Sequence, residues 1–434
     1  MADARASGGP AVQDARPLEI WAWAMYDFAN SGYTTVVLTA IFNAYFVAVV
    51  AGNAPWATFA WTATLSLSYV LVIVTAPVIG AYADLRASKK RLLLFTTVGC
   101  VLGTAALALA GQGNLVIAVL GVVVSNFFFA TGCDLVAAFL PELARGRNLG
   151  RVSGWGWSLG YLGGLLTLGV CLVYVSWAQA AGQSAVQFVP VTMLITAALF
   201  ALASVPTFAI LRERAAPQEP AGASLVASAF ARLADTLRHA ARYQDLRRFL
   251  ICIVFYQAGV QTVITLAAIY AEQAMGFDTQ DTLVLVLVVN VTAALGAFFL
   301  GNVQDRIGHV PTIALTLAGW VATVLIVWAA DTRPLFWIAA NLAGLCLGAS
   351  QSAGRALVGY LSPCARRAEF FGLWGLATNL SSILGPITYG AVSWMSQGNH
   401  RLAMLITGVF FVAGLLILHG IDARRGRRAA LKKA

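Results

Sequence analysis

Twelve long apolar runs constrain this chain more than any other feature in it. They fall at residues 22–51, 57–83, 92–111, 114–139, 153–177 and 187–211 in the first half, and at 248–274, 280–303, 311–330, 334–361, 367–395 and 401–421 in the second. Each reaches the roughly 20 residues a helix needs to cross the hydrocarbon core of a bilayer. In lipid every backbone N–H and C=O must be paired internally, which leaves helices and closed barrels as spanning structures. These runs do not alternate apolar with polar, so they predict helices rather than barrel strands. The expected class is an all-α membrane protein, with twelve transmembrane helices in two pseudo-symmetric six-helix bundles. Composition agrees: 59% of the 434 residues are hydrophobic and 11% charged, where a soluble domain is about a quarter charged.

The distribution of basic residues sets an orientation. Of the 28 Lys and Arg, 26 lie in the N-terminal tail, the even-to-odd loops with their adjoining helix ends, and the C-terminal tail. Arg333 and Arg401 are the two on the opposite side. The positive-inside rule then makes both termini cytoplasmic in a multi-pass protein of the bacterial inner membrane. The net charge of +10 reads as a topological signal with some attraction to anionic lipid. It forms no basic patch interleaved with base-stacking aromatics, so nucleic acid is not an expected partner.

The expected organisation is a cytoplasmic tail over 1–20, bundles over 21–211 and 248–421, a connection over 212–247 and a basic tail over 422–434. The first tail lacks the apolar core and cleavage site of a signal peptide. The connection opens with Arg212, Glu213, Arg214 and a Pro217 to Pro220 stretch. Val226, Phe230, Leu233, Leu237 and Ala240 follow at helical spacing, with Arg232, Arg238 and Arg242 on other faces. That pattern predicts an amphipathic helix on the membrane surface, tying the halves together. Cys100, Cys133, Cys171, Cys252, Cys346 and Cys364 lack paired spacing and read as unbridged packing residues. The four histidines are scattered, so neither a metal nor another cofactor is expected. No HExxH, nucleophile–His pair or phosphate loop appears, which argues against an enzyme and leaves a gradient as the energy source.

The halves repeat each other. Gly80-Ala-Tyr-Ala-Asp84-Leu-Arg86 after helix two matches Gly301-Asn-Val-Gln-Asp305-Arg306-Ile-Gly308 after helix eight, at an offset of 221. Pro141 matches Pro363 at an offset of 222, and Gly154 matches Gly372 at 218. Offsets near half the chain length imply duplication, and paired repeats around a midplane site are the architecture of alternating access.

Gly-x-x-x-Asp followed by basic residues resembles the signature loop of the major facilitator superfamily. More narrowly, Trp23-Ala-Met-Tyr26-Asp27-Phe28-Ala29-Asn30-Ser31 is similar to the opening of the bacterial "unknown major facilitator" family, which is related to the autophagy-linked vacuolar amino-acid effluxers of fungi. Leu140-Pro141-Glu142-Leu143, Gly150-Arg151-Val152-Ser153-Gly154, Gly160-Tyr161-Leu162-Gly163-Gly164, Gln351 with Arg355, Glu369-Phe370-Phe371-Gly372 and Gly385-Pro386 extend the likeness. One motif departs: where relatives carry Tyr-x-Asp-Gly in helix seven, this chain has Tyr256-Gln257-Ala258-Gly259. The resemblance implies a monomeric secondary transporter that exports amino acids or similar small metabolites, with membrane lipid and a coupling proton as further partners. An exporter of drugs or lipid-like amphiphiles is the alternative, favoured by a wide apolar cavity without a paired Asp27 and Arg355. A non-transporting scaffold or sensor would need a collapsed cavity or a large extra domain.

Charges inside a membrane are expensive and mark function by default. Asp27 lies inside helix one, with Asn30 and Ser31 on its face by i+3 and i+4 spacing. Helices one, four, seven and ten line the cavity in the superfamily. The resemblance therefore makes Asp27 a carboxylate for a substrate ammonium or a coupling proton; the plainer reading is a structural brace. Arg355 in helix ten, one turn after Gln351, suits a substrate carboxylate or a gating ion pair; the plainer reading is a side chain snorkelling to the interface. Together Asp27 and Arg355 would clamp a zwitterion. Gln257, Gln261 and Asn379 offer neutral hydrogen bonds, to substrate or between helices. Asp84, Arg86, Arg91, Asp134, Glu142 and Arg151, with Asp305, Arg306, Arg366 and Glu369 in the second half, read as a charge network at the cytoplasmic helix ends that breaks during the cycle. Gly156, Gly160 and Gly164 form a small-residue packing face on helix five. Trp56, Trp177 and Trp337 read as interfacial belts, and Trp155 and Trp157 are assigned to them too.

Overall fold

A computed structural model describes residues 16–143, 148–214, 225–240, 242–363 and 367–432. Among these residues there is no strand, and twelve helices are long and apolar enough to cross a membrane. The first six are α1 (Pro17–Val50), α2 (Ala57–Arg86), α3 (Lys89–Ala106), α4 (Leu115–Ala137), α5 (Asn148–Ala180) and α6 (Ala185–Ile210). The second six are α7 (Gln244–Met275), α8 (Thr279–Ile307), α9 (His309–Ala329), α10 (Arg333–Leu361), α11 (Arg367–Met395) and α12 (His400–His419). With an even number of crossings, both ends of the chain reach one face, the terminal face; the opposite one is the far face.

Helix ends follow local chemistry. Pro17 opens α1, where a fixed φ and a missing N–H are harmless. Gly276 and Gly308 close α7 and α8 at φ +64 and +95, a region that costs other residues a Cβ clash. The expected amphipathic connection is present as a linker helix, Leu225–Ala240. A tail helix, Ala423–Lys432, occupies a segment too polar for apolar periodicity to reveal. The Asp422 carboxylate caps it, accepting the Arg424 and Arg425 amides at 2.8 and 3.0 Å.

Packing repeats with the sequence. In the first half α1 lies on α5 and α6, α4 on α2 and α3, and α3 on α6. In the second half α7 lies on α11 and α12, α10 on α8 and α9, and α9 on α12. Each contact in one half has its counterpart in the other. Between the halves, α2 meets α11 and α5 meets α8, and these two seams are likewise exchanged by the repeat. α1 meets α7 at the centre.

α1 is irregular. It passes into π-helix over Thr34–Ala40, breaks at Ile41 (φ −111), and turns π-helical again over Phe46–Val50. Such widened turns leave backbone groups to be paired by side chains, and Asn43 does this.

Candidate functional site

Glycines bring α5 against α1. A methyl group at Gly160 would stand 2.9 Å from Ser31 Oγ, and one at Gly164 would stand 2.8 Å from Thr35 Oγ1. At Gly163 it would collide with the Phe28 carbonyl, and at Gly156 with the Asp27 carboxylate. The bare α5 face thus seats Asp27, whose carboxylate is hydrogen-bonded to Asn30 and faces Arg355 across the seam. Arg355 also has Tyr161 of α5 in electrostatic range. Its guanidinium carbon lies 4.8 Å from the Trp157 ring centroid and 5.2 Å from that of Trp374. A cation between two indole faces is held by their quadrupoles. Trp157 therefore faces the cavity, contrary to the interfacial place expected from its position at the start of the helix.

The pairing of Asp27 with Arg355 joins the halves at α1, α5 and α10. Nearby, Asn30 Nδ2 contacts Cys133 Sγ at 3.6 Å. Asp134, next along α4, is exposed and is hydrogen-bonded by Asn379 of α11. Gln257 Nε2 donates to Gln351 Oε1 at 2.8 Å, and the Gln257 side chain is 1% exposed with its Oε1 unpartnered among the described residues. Thr131 Oγ1 and Trp374 Nε1 are likewise unpartnered. Unpaired buried polar atoms cost about 1–3 kcal/mol each, so these are places where a polar solute gains by binding.

Other expected residues fall elsewhere. Ser31 spends its hydroxyl on the Asp27 carbonyl at 2.8 Å, beneath Gly160. Gln261 is half-buried and its carbonyl accepts from the Thr265 hydroxyl. A further cluster carried no signal in the sequence: the Tyr69 hydroxyl of α2 is hydrogen-bonded by Asn126 of α4 and Ser382 of α11. Nothing but neutral polarity inside apolar runs marks those three.

At the terminal face, charges tie each half to itself. Lys89 Nζ meets Glu142 at 3.0 Å, and Arg214 meets Glu19 at 2.5 Å. Glu213 accepts the Lys89 and Lys90 amides at 2.7 and 3.2 Å, capping α3. Of the expected network, Glu142 takes part. Arg86 and Arg91 are exposed and form no ion pair among the described residues. Arg366 lies outside the described residues, as do the side chains of Asp84, Arg151, Asp305, Arg306 and Glu369. In the second half, Asp245 holds Arg425 of the tail helix through bonds of 2.9 and 2.6 Å.

At the far face the halves meet directly. Asn43 Nδ2 donates to Thr265 O of α7 at 3.0 Å, and Gln273 Nε2 to Asn53 Oδ1 at 2.8 Å. Phe59 and Trp394 stack with centroids 5.1 Å apart, beside Gly390. The molecule is thus sealed at the far face, with its charged site on the terminal side of that seal.

A family model described as "Vacuole effluxer Atg22 like" matches residues 147–431. The chain belongs to this family. Among its relatives is an uncharacterised MFS-type transporter, YxiO of Bacillus subtilis (strain 168), 27% identical over 402 residues that cover 91% of this chain and 93% of the relative. Autophagy-related protein 22 of Kluyveromyces lactis is 24% identical over 214 residues, covering 45% of this chain and 42% of that longer protein. Solved major facilitator structures share the fold. A D-xylose-proton symporter aligns with a TM-score of 0.69 at 15% identity, over 94% of this chain and 99% of that one. The nucleoside transporter NupG aligns with a TM-score of 0.65 at 15% identity, over 93% and 97%. This Atg22-like chain is therefore a transporter of the major facilitator fold.

Proposed function

We propose that this Atg22-like chain is a secondary active transporter of α-amino acids or closely similar zwitterions, working outward by alternating access with both termini in the cytoplasm. The carrying observation is the buried inter-half set of Asp27, Arg355, Trp157 and Trp374. A carboxylate and a guanidinium face each other across the seam that alternating access would open. A zwitterion entering between them pairs its ammonium with Asp27 and its carboxylate, bidentately, with Arg355. The indole faces keep the guanidinium in place while its partner changes. Binding would trade one inter-half ion pair for two pairs to the solute, which lowers the cost of separating the halves. The charged set disfavours the amphiphile exporter, for which an apolar cavity would serve. Export and amino acids are further supported by the description of the matching family as a vacuole effluxer.

Purified protein in liposomes with an imposed pH gradient tests this. Radiolabelled amino acids should exchange across the membrane in the wild type. Asp27→Asn and Arg355→Gln should each cut the rate by about 30-fold or more, the effect of removing one member of a buried charge pair. Undiminished exchange in both variants, or no exchange of any amino acid by the wild type, would overturn the reading.

A further inference from the structure

The site holds more negative charge than a neutral amino acid can satisfy. Among the described side chains, its ionisable lining is two carboxylates, Asp27 and Asp134, and one guanidinium, Arg355. Cys133 lies between the carboxylates, within electrostatic range of both. Asp27 has Arg355 as its cation. Asp134 has the neutral amide of Asn379, and no cationic side chain pairs with it among the described residues. One turn earlier on α4, the Thr131 hydroxyl is 4% exposed and unpartnered. A carboxylate and a spare hydroxyl on one helix turn make a receptor for a group with several N–H donors, such as an ammonium.

A neutral zwitterion uses Arg355 and Asp27 and leaves Asp134 unmatched in a desolvated cleft, which is costly. A solute with one carboxylate and two cationic groups matches all three. We infer that the site takes dibasic α-amino acids, with Asp134, Thr131 and Asn379 receiving the cationic end of the side chain. This rests on the amino-acid reading above and adds its selectivity. A lysine-like side chain suits the task, because its flexible stem carries a compact charge with three donors.

Asp134→Asn keeps the shape of the residue and removes its charge; Asp134→Glu keeps the charge. Wild-type, Asp134→Asn and Asp134→Glu proteins in liposomes would be compared for counterflow of L-lysine, L-leucine and cadaverine, with folding checked by thermal unfolding. The wild type should prefer lysine to leucine by about 30-fold or more. Asp134→Asn should abolish that preference while sparing leucine, Asp134→Glu should keep it, and cadaverine, lacking the carboxylate for Arg355, should move poorly throughout. Equal transport of leucine and lysine by the wild type overturns the inference and leaves the amino-acid reading standing. So does an unchanged ratio in Asp134→Asn. Cadaverine moving as well as lysine overturns the role of Arg355 and the inference with it. Movement of none of the three solutes overturns both.

Discussion

Gly163 and Gly385 are 222 positions apart, close to the spacing of the sequence repeat, and occupy equivalent places. A methyl group at Gly163 would strike the carbonyl of Phe28 in α1, and one at Gly385 the carbonyl of Ala258 in α7. Backbone cannot yield as a side-chain tip can, so Gly163→Ala and Gly385→Ala should each destabilise by about 1–3 kcal/mol, the range for overpacking. Gly169→Ala is the control: nothing lies within 4 Å of its added methyl, and alanine is favoured in a helix by up to about 1 kcal/mol. Thermal unfolding in detergent should rank the control at or above wild type and both others below. Equal midpoints for all four proteins would refute the close approach. The same helices show what was readable beforehand. Asp27 and Arg355 stood out because charge is rare in a span. Trp157 did not, because an aromatic near a helix end has an interfacial reading of its own. Only Arg355 arriving from α10, distant in sequence, gives it another place.

At the level of elements, α1 carries most of what the sequence hid. Its apolar run predicts a continuous helix, yet the structure breaks it at Ile41 between two π-helical segments. Asn43, 0% exposed, repairs the break: its Nδ2 donates to Thr39 O and Thr265 O, and its Oδ1 accepts the Ala44 amide. One side chain thus pairs the irregular backbone of α1 and latches α1 to α7. A lone asparagine in an apolar run gives no sign of either task, since both depend on a helix some 220 residues away. Asn43→Leu fills similar space but strands these groups, at about 1–3 kcal/mol for each one left buried. The far-face-sealed state should lose population. Spin labels at Asn53 and Gln273 should report it by double electron–electron resonance, as a longer-distance component that is minor in wild type and increased in the variant. An unchanged distance distribution would mean that Asn43 serves α1 alone. The terminal-face elements were partly legible. The linker helix was written in its periodicity, but the ion pair of Arg214 with Glu19 joins residues that show no common pattern.

The whole molecule has two seams related by the repeat but not equally built. The α2–α11 seam is the broader, and the linker helix packs on α2, with smaller contacts to α11 and α7. Ion pairs at the terminal face stay within a half or run to its adjoining linker or tail, while the hydrogen bonds of Asn43 and Asn53 cross between halves at the far face. A molecule strapped along one seam and latched at one face has a defined way to move. The far-face latch must part for the solute to leave on that side, while the linker helix keeps the α2–α11 seam together and the narrower α5–α8 seam takes up the change. Asn53→Cys with Gln273→Cys, joined by a short cleavable thiol reagent, should therefore arrest net transport and leave the terminal side accessible. Lysine binding measured from that side should persist in the cross-linked protein, since Asp27 and Arg355 lie on the terminal side of the latch. Reductive cleavage should restore turnover, and the reagent should have little effect on wild type, whose five described cysteines are buried or half-buried. Full transport by the cross-linked protein would mean that the far face need not open. Loss of binding together with transport would mean that the solute reaches Asp27 and Arg355 from the far side, reversing the proposed order of opening.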